Sequence, residues 1–233
     1  MGAALPSLDA ATVRALVEAA HAAGLLALAH VTTQGAAELA VEAGVDGLTH
    51  MFMGGEGLRP LAERMAAADV FVISTLALYA ALSGWPPPAS LDGRIATRLN
   101  APTRAALGRP PAGFPELPGA GTAALATAEV LHLAGVTLLA GTDANDGPGR
   151  PFPTVHGAGL HLELERLTSA GLTPAEALSA ATSVPAARFG LRDRGLVRAG
   201  HRADLLLAEG NPTTDITATR SITAVWQQGV RIV

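Results

Sequence analysis

The stretch GVTLLAGTDANDGPGR, residues 135–150, places a carboxylate at the end of an apolar segment. The apolar run at 136–140 stops at Gly141, Thr142 and Asp143, and small and polar residues follow. A short run that is continuously apolar is typical of a strand buried on both faces. The sequence therefore predicts a buried strand with Asp143 at its carboxyl end.

Three further apolar runs precede this one, and helical patterns separate them. The runs are LLALAH (25–30), VDGLTH (45–50) and VFVISTLAL (70–78), and the helical patterns cover 7–24, 34–44, 58–69 and 121–135. Continuously apolar strands that alternate with helices indicate parallel strands covered on both sides. The expected architecture is a set of β-α units, arranged either as a barrel or as an open doubly wound sheet.

The section 79–118 interrupts this alternation, because it is rich in Pro and Gly and contains only a short helical pattern at 91–108. So long an insertion is either a functional lid or a surface excursion. Helices are again expected from residue 155, and Thr173, Pro174 and Glu176 form a predicted capping box. We expect a barrel-like unit over 1–190 and a small β subdomain over 191–233.

Composition narrows the function classes. The chain has 233 residues, 49% of them hydrophobic, a net charge of −4, no cysteine and no lysine, so that all sixteen basic residues are arginine. This excludes disulfides and thiolate metal sites, and it offers no basic surface for nucleic acid. The N-terminus lacks the pattern of a signal peptide, and no apolar run approaches the roughly 18 residues that a membrane helix needs. We therefore expect a cytoplasmic protein with no nucleic-acid or membrane partner.

Three of the predicted strands end in residues that can bind metal, namely His30, His50 and Asp143. Each alone has a simpler explanation: a terminal His is often a hydrogen-bonded structural residue, and Gly-Thr-Asp can be a turn or a helix cap. The carboxyl ends of parallel strands, however, lie on one face, where loops build sites. Imidazoles and a carboxylate suit Zn²⁺ or a similar divalent ion. The three tips together favour a metal site.

The motifs LLALAH, VDGLTH, LLAGTDAN, HGAGLHLELERLTSAGLTPAEALSAATSVPAARFGL and GLVRAGHRADLLLAEGNP resemble the metal-dependent amidohydrolase superfamily, in its imidazolonepropionase-like and Xaa-Pro dipeptidase-like branch. The resemblance implies a (β/α)8 TIM-type barrel, of which this chain would be the C-terminal half, with the equivalents of strands 5 to 8 and a small C-terminal β-sandwich remnant.

The resemblance also implies roles for residues. His30 and His50 would be the metal ligands of the fifth and sixth strands, and Asp143 would be a metal ligand and the catalytic proton carrier of the eighth. His156, Tyr79 and Arg150 would bind substrate, although Tyr79 and Arg150 are equally well explained as solvated loop residues. The cofactor would be a divalent metal, with zinc first and manganese, cobalt or iron as alternatives.

The sequence departs from the family pattern in lacking a His-x-His pair and any lysine that could bridge two metals. Two hypotheses therefore stand. In the first, the chain is the C-terminal portion of a hydrolase that cleaves amides, cyclic amides or dipeptides as small-molecule substrates. In the second, it is a non-catalytic truncated remnant that acts only as an assembly or structural partner. Both expect the open edges of a half barrel to associate, either with another copy or with a complementary N-terminal half.

Overall fold

A computed structural model describes residues 7–83, 92–107, 117–144 and 154–233. Local signals place the helices. Asp9 caps the first helix by accepting a hydrogen bond from the Thr12 amide at 2.8 Å, and Thr173 and Glu176 form the predicted capping box. The helices are α1 (Ala10–Ala22), α2 (Gln34–Glu42), α3 (Leu58–Ala67), α4 (Leu76–Leu82), α5 (Gly93–Ala96), α6 (Ala101–Leu107), α7 (Ala120–Leu133), α8 (Ala158–Ser169), α9 (Pro174–Ala180) and α10 (Ser183–Arg188).

Four short strands form a parallel sheet in the order β1-β2-β3-β4. They are β1 (Leu28–His30), β2 (Gly47–Thr49), β3 (Phe71–Ile73) and β4 (Leu138–Leu139). Sequential strands are neighbours and helices connect them, as expected for parallel β-α units. The predicted α/β class with a parallel sheet is confirmed. Among the described residues the sheet is open, with β1 and β4 at its edges.

The predicted strand 70–78 is wrong in its second half. β3 ends at Ile73, and the chain then turns into α4, all of whose residues are buried. The apolar character of the segment is explained by this burial, since a buried helix and a buried strand look alike over a short apolar run.

β1 also differs from expectation, because it is not covered on both sides. Leu28 is 39% exposed, and its neighbours Leu25 and Leu26 are 63% and 44% exposed. β2, β3 and β4 are largely buried. The sheet therefore has one apolar edge that faces solvent among the described residues.

The core lies between the sheet and its helices. Its largest fully buried apolar side chains include Leu48 of β2, Phe52, Met65 of α3, Leu131 of α7 and Leu167 of α8. No helix among the described residues has both the length and the apolar character needed to cross a bilayer.

The C-terminal segment forms a second sheet, which is antiparallel and has three strands. They are β5 (Leu205–Ala208), β6 (Ile222–Gln227) and β7 (Val230–Arg231). A 3-10 turn at Ile216–Arg220 precedes β6, and Ile216 packs into the main core. The division at residue 190/191 stays a prediction.

The insertion 79–118 is less irregular than expected where the structure describes it. It begins inside α4, and the predicted short helix appears as the two helices α5 and α6. Residues 84–91 and 108–116 lie outside the described residues, and the lid role stays a prediction.

Candidate active site

The rings of His30 and His50 meet at the carboxyl edge of the sheet. His30 is the last residue of β1, and His50 directly follows β2. Their ring centroids are 4.5 Å apart, with an angle of 72° between the planes. The parallel register pairs His30 with Thr49, so adjacent strands bring the two imidazoles together although twenty residues separate them in sequence.

A hydrogen bond with Thr75 holds the His50 ring. The His50 Nδ1 atom is 3.0 Å from Thr75 Oγ1. Burial lowers the pKa of His50, the nearby charge of His30 lowers this pKa further, and the Asp143 carboxylate opposes both. At neutral pH the imidazole is therefore uncharged, and Nε2 is the ring nitrogen that Thr75 leaves available. A neutral imidazole fixed through one nitrogen is the form in which histidine binds metal.

Backbone strain collects at the same edge. His50, Thr75 and Asp143 follow β2, β3 and β4, and all three adopt the left-handed region, with φ of 70°, 48° and 47°. Such conformations are costly for residues other than glycine and cluster at functional sites. Just before Asp143, the chain at Gly141 passes close to Ile73. Any Cβ at position 141 would collide with the Ile73 side chain.

Asp143 lies at this edge with an exposed side chain, and its backbone carbonyl accepts a hydrogen bond from Thr154 Oγ1 at 3.0 Å. Its carboxylate is near enough to influence the titration of His50. Within the described ranges, however, no three His, Cys, Asp or Glu side chains form a group that could hold a metal ion. The donor chemistry thus fits a divalent metal in part: two imidazoles are assembled, and the Asp143 carboxylate does not join them in a three-ligand group.

The predicted substrate-binding residues lie in different environments. Tyr79 is not a loop residue but belongs to α4; it is 4% exposed, and its hydroxyl donates to the Met51 carbonyl. Burial raises the pKa of Tyr79 to about 12, which keeps the hydroxyl protonated as a donor. His156 is exposed in the turn before α8, and Arg150 lies outside the described residues. Substrate contact by these three residues stays a prediction.

A buried carboxylate beneath the site was not predicted. Glu163 of α8 is fully buried, and its oxygens accept hydrogen bonds from the amides of Leu76 at 3.0 Å and Ala77 at 2.7 Å. Ser74 Oγ contacts the same carboxyl and lies 3.1 Å from the Leu139 carbonyl. Burial raises the pKa of Glu163 to about 7 against these hydrogen bonds. The sequence carries one signal for it: Gly159, Glu163 and Leu167 share one face of α8 at a spacing of four residues, and all three are buried.

Comparison with protein-family models agrees with this combination of a parallel β-α sheet and histidines at its carboxyl edge. The amidohydrolase family model matches residues 1–232. The chain belongs to the amidohydrolase family.

Two curated relatives are similar to part of the chain. The imidazolonepropionase of Deinococcus deserti is 38% identical over 102 residues, which is 42% of this chain and 24% of that protein. The corresponding enzyme of Deinococcus radiodurans is 40% identical over 91 residues, which is 39% of this chain and 22% of the relative. The chain therefore matches about a quarter of the length of these curated relatives.

Solved structures agree in fold over nearly the whole chain. A crystal structure described as an amidohydrolase superposes with a TM-score of 0.70 at 25% identity, covering 97% of this chain and 49% of that one. A Xaa-Pro dipeptidase with methionine bound in its active site gives a TM-score of 0.69 at 20% identity, with 97% and 49% covered. The chain spans about half the length of these structures.

Proposed function

We propose that this chain is part of a metal-dependent hydrolase that cleaves C–N bonds in amides, cyclic amides or dipeptides. The observation that carries the proposal is the convergence of His30 and His50 at the carboxyl edge of the sheet, with centroids 4.5 Å apart. Membership of the amidohydrolase family and the names of its imidazolonepropionase relatives support the reaction class.

In this proposal His30 and His50 hold a divalent metal, with zinc first, and Asp143 is the third ligand, which requires its carboxylate to move toward the two rings. When bound, such a metal polarises the scissile carbonyl and makes water more acidic. The Asp143 carboxylate takes the proton of the attacking water and delivers it to the leaving nitrogen, as a general base and then a general acid. His156, Tyr79 and Arg150 are assigned to substrate, and for Tyr79 this requires its hydroxyl to leave Met51.

We further propose that the four strands are the equivalents of strands 5 to 8 of a (β/α)8 barrel, with residues 191–233 as a separate β subdomain in a cytoplasmic protein. The exposed edge at Leu25, Leu26 and Leu28 supports association with a second copy or with a complementary N-terminal half. That neighbour would supply the remaining ligands and substrate walls.

The test loads the purified chain, alone and assembled with its neighbour, with Zn²⁺, Mn²⁺ or Co²⁺. It measures bound metal together with hydrolysis of an imidazolone, an N-acyl amino acid and a Xaa-Pro dipeptide. D143N is expected to remove turnover and leave folding intact. Its matched control is D193N, which changes an exposed carboxylate that pairs with the adjacent Arg194 and should keep turnover. Equal rates in the two variants would exclude Asp143 from the reaction.

The second candidate function is that of a non-catalytic assembly partner. Two observations favour it: the apolar edge at β1, and the lack of a three-ligand group within the described ranges. Stoichiometric association with a second copy or with a complementary N-terminal half, with neither bound metal nor turnover in the assembly, would establish this candidate and reject the hydrolase.

A further inference from the structure

The N-terminus of α4 is capped in an unusual way, because the residue at the N-cap does not supply the cap. A Thr at the N-cap ordinarily adopts an extended backbone, and its hydroxyl accepts a hydrogen bond from an amide of the first turn. Thr75 occupies the N-cap of α4, but its backbone is left-handed (φ 48°, ψ 36°) and its side chain makes no capping hydrogen bond. Its Oγ1 instead faces His50 Nδ1 at 3.0 Å.

Glu163 performs the capping that Thr75 does not. Its two carboxyl oxygens accept from the first two amides of α4, those of Leu76 and Ala77. These amides lack partners within the helix, and they are buried, so leaving them unpaired would cost about 1–3 kcal/mol each. The cap thus comes from α8, 87 residues further along the chain.

We propose that Glu163 is a positioning residue for His50: by capping α4 from α8, it holds Thr75 in the left-handed conformation that turns the Thr75 hydroxyl onto the His50 imidazole. The proposal deepens the function above and rests on it for the importance of His50 as a ligand. For Nε2 to bind metal, Nδ1 must carry the hydrogen and donate it to Thr75 Oγ1. Glu163 therefore acts on the tautomer and orientation of the ring without touching it.

The residues that link Glu163 to His50 are buried. Thr75 is 3% exposed, so its hydroxyl cannot exchange His50 for bulk water. Ser74, the residue before it, contacts the Glu163 carboxyl and is also fully buried. Glu163 thus holds the β3–α4 turn on both sides of Thr75, through Ser74 before it and through the first two α4 amides after it.

The test is E163Q, which keeps the shape of the side chain but replaces one acceptor oxygen with an NH2 group that faces an amide donor. The readout is the pair of ¹⁵N chemical shifts of the His50 ring in the metal-free full chain. E163Q should move both shifts toward those of T75V, which removes the hydroxyl directly, and the double variant should add little. E165Q, on the same helix but paired with Arg220, is the control and should leave them unchanged.

Metal affinity is measured in parallel with Co²⁺. If Glu163 positions a ligand, E163Q should weaken binding by at most the about 10- to 100-fold expected for direct outer-shell partners such as Thr75. Moved ring shifts with no Co²⁺ binding in any variant would uphold positioning and reject a metal site formed by His30, His50 and Asp143 alone. Unmoved ring shifts in folded E163Q would overturn the positioning role, whatever the metal does. Should E163Q not fold, E163D, which retracts the carboxylate by one methylene, is judged by the same two signals.

Discussion

His30 and His50 lie edge to face at the ends of adjacent strands, and the charge of His30 helps to lower the pKa of His50. Their separation is also short enough for both to contact one bound ion. The geometry of the site can therefore be tested in the metal-free chain through the His50 ring.

Changing the neighbours of His50 should move its pKa in opposite directions. H30Q removes a repulsive positive charge and should raise the pKa of His50, whereas D143N removes an attractive negative charge and should lower it. Titration of the His50 ring by NMR, without metal, measures both. A D143N value above that of the wild type would mean that the carboxylate is not near the ring.

Glu163 should make stability depend on pH. The folded-state pKa of about 7 lies above the ordinary value of 4.5, so the native state holds more protons than the unfolded state between these limits. Stability conferred by the protonated group is present below about pH 4.5 and is lost as the pH rises through about 7, by about 3 kcal/mol at most.

Urea unfolding of the wild type and of E163Q across this range isolates the effect, because the histidines titrate in both proteins. The wild type should lose stability relative to E163Q as the pH rises. A difference that stays constant would show that the pKa of Glu163 is the same in the native and unfolded states.

Gly47 should tolerate no side chain. It lies in β2, where an added Cβ would be 2.6–2.9 Å from three atoms of the Phe71 ring. G47A should therefore lower the free energy of unfolding by about 1–3 kcal/mol through overpacking. G35A, in α2 with nothing within 4 Å of the added carbon, should be neutral or stabilise by up to about 1 kcal/mol. Thermal unfolding of the two variants compares them, and equal midpoints would contradict the predicted contact.

Arg220 should matter more to stability than the other arginine that contacts Asp92. Its side chain is 8% exposed and contacts Glu165 of α8 and, at 3.2 Å, Asp92 before α5. R220M should cost about 1–3 kcal/mol, because it removes charged hydrogen bonds from a buried position. R94Q changes a side chain that is 42% exposed and should cost less than about 1 kcal/mol. Urea unfolding ranks them, and a larger loss for R94Q would reverse the assignment.

Local patterns in the sequence were enough for most helices and for the parallel pairing of the strands. The Thr173–Glu176 box fixed the start of α9 through contacts within three residues. The meeting of His30 and His50 followed from parallel topology alone, since adjacent strands end at one edge. These predictions rest on short-range chemistry or on simple geometry.

What the sequence did not predict depends on contacts between distant residues. β3 ends at Ile73, and the helix that follows is capped by the Glu163 carboxyl from far along the chain. Tyr79 is buried with its hydroxyl donating to the Met51 carbonyl, and no local sequence pattern predicts this partner. The exposure of β1 depends on what covers a sheet edge, which the apolar run itself does not encode.

The capping of α4 by a residue of α8 has a consequence for recombination between relatives. A chimaera that exchanges the segment from β4 through α8 would also exchange Glu163. The α4 helix, which stays in the retained part, would then lose its cap unless the donor supplies one. Only donors with an acid at the position of Glu163 should yield a chimaera in which the β3–α4 turn keeps its shape. The boundaries of interchangeable modules in this fold therefore do not coincide with its β-α units.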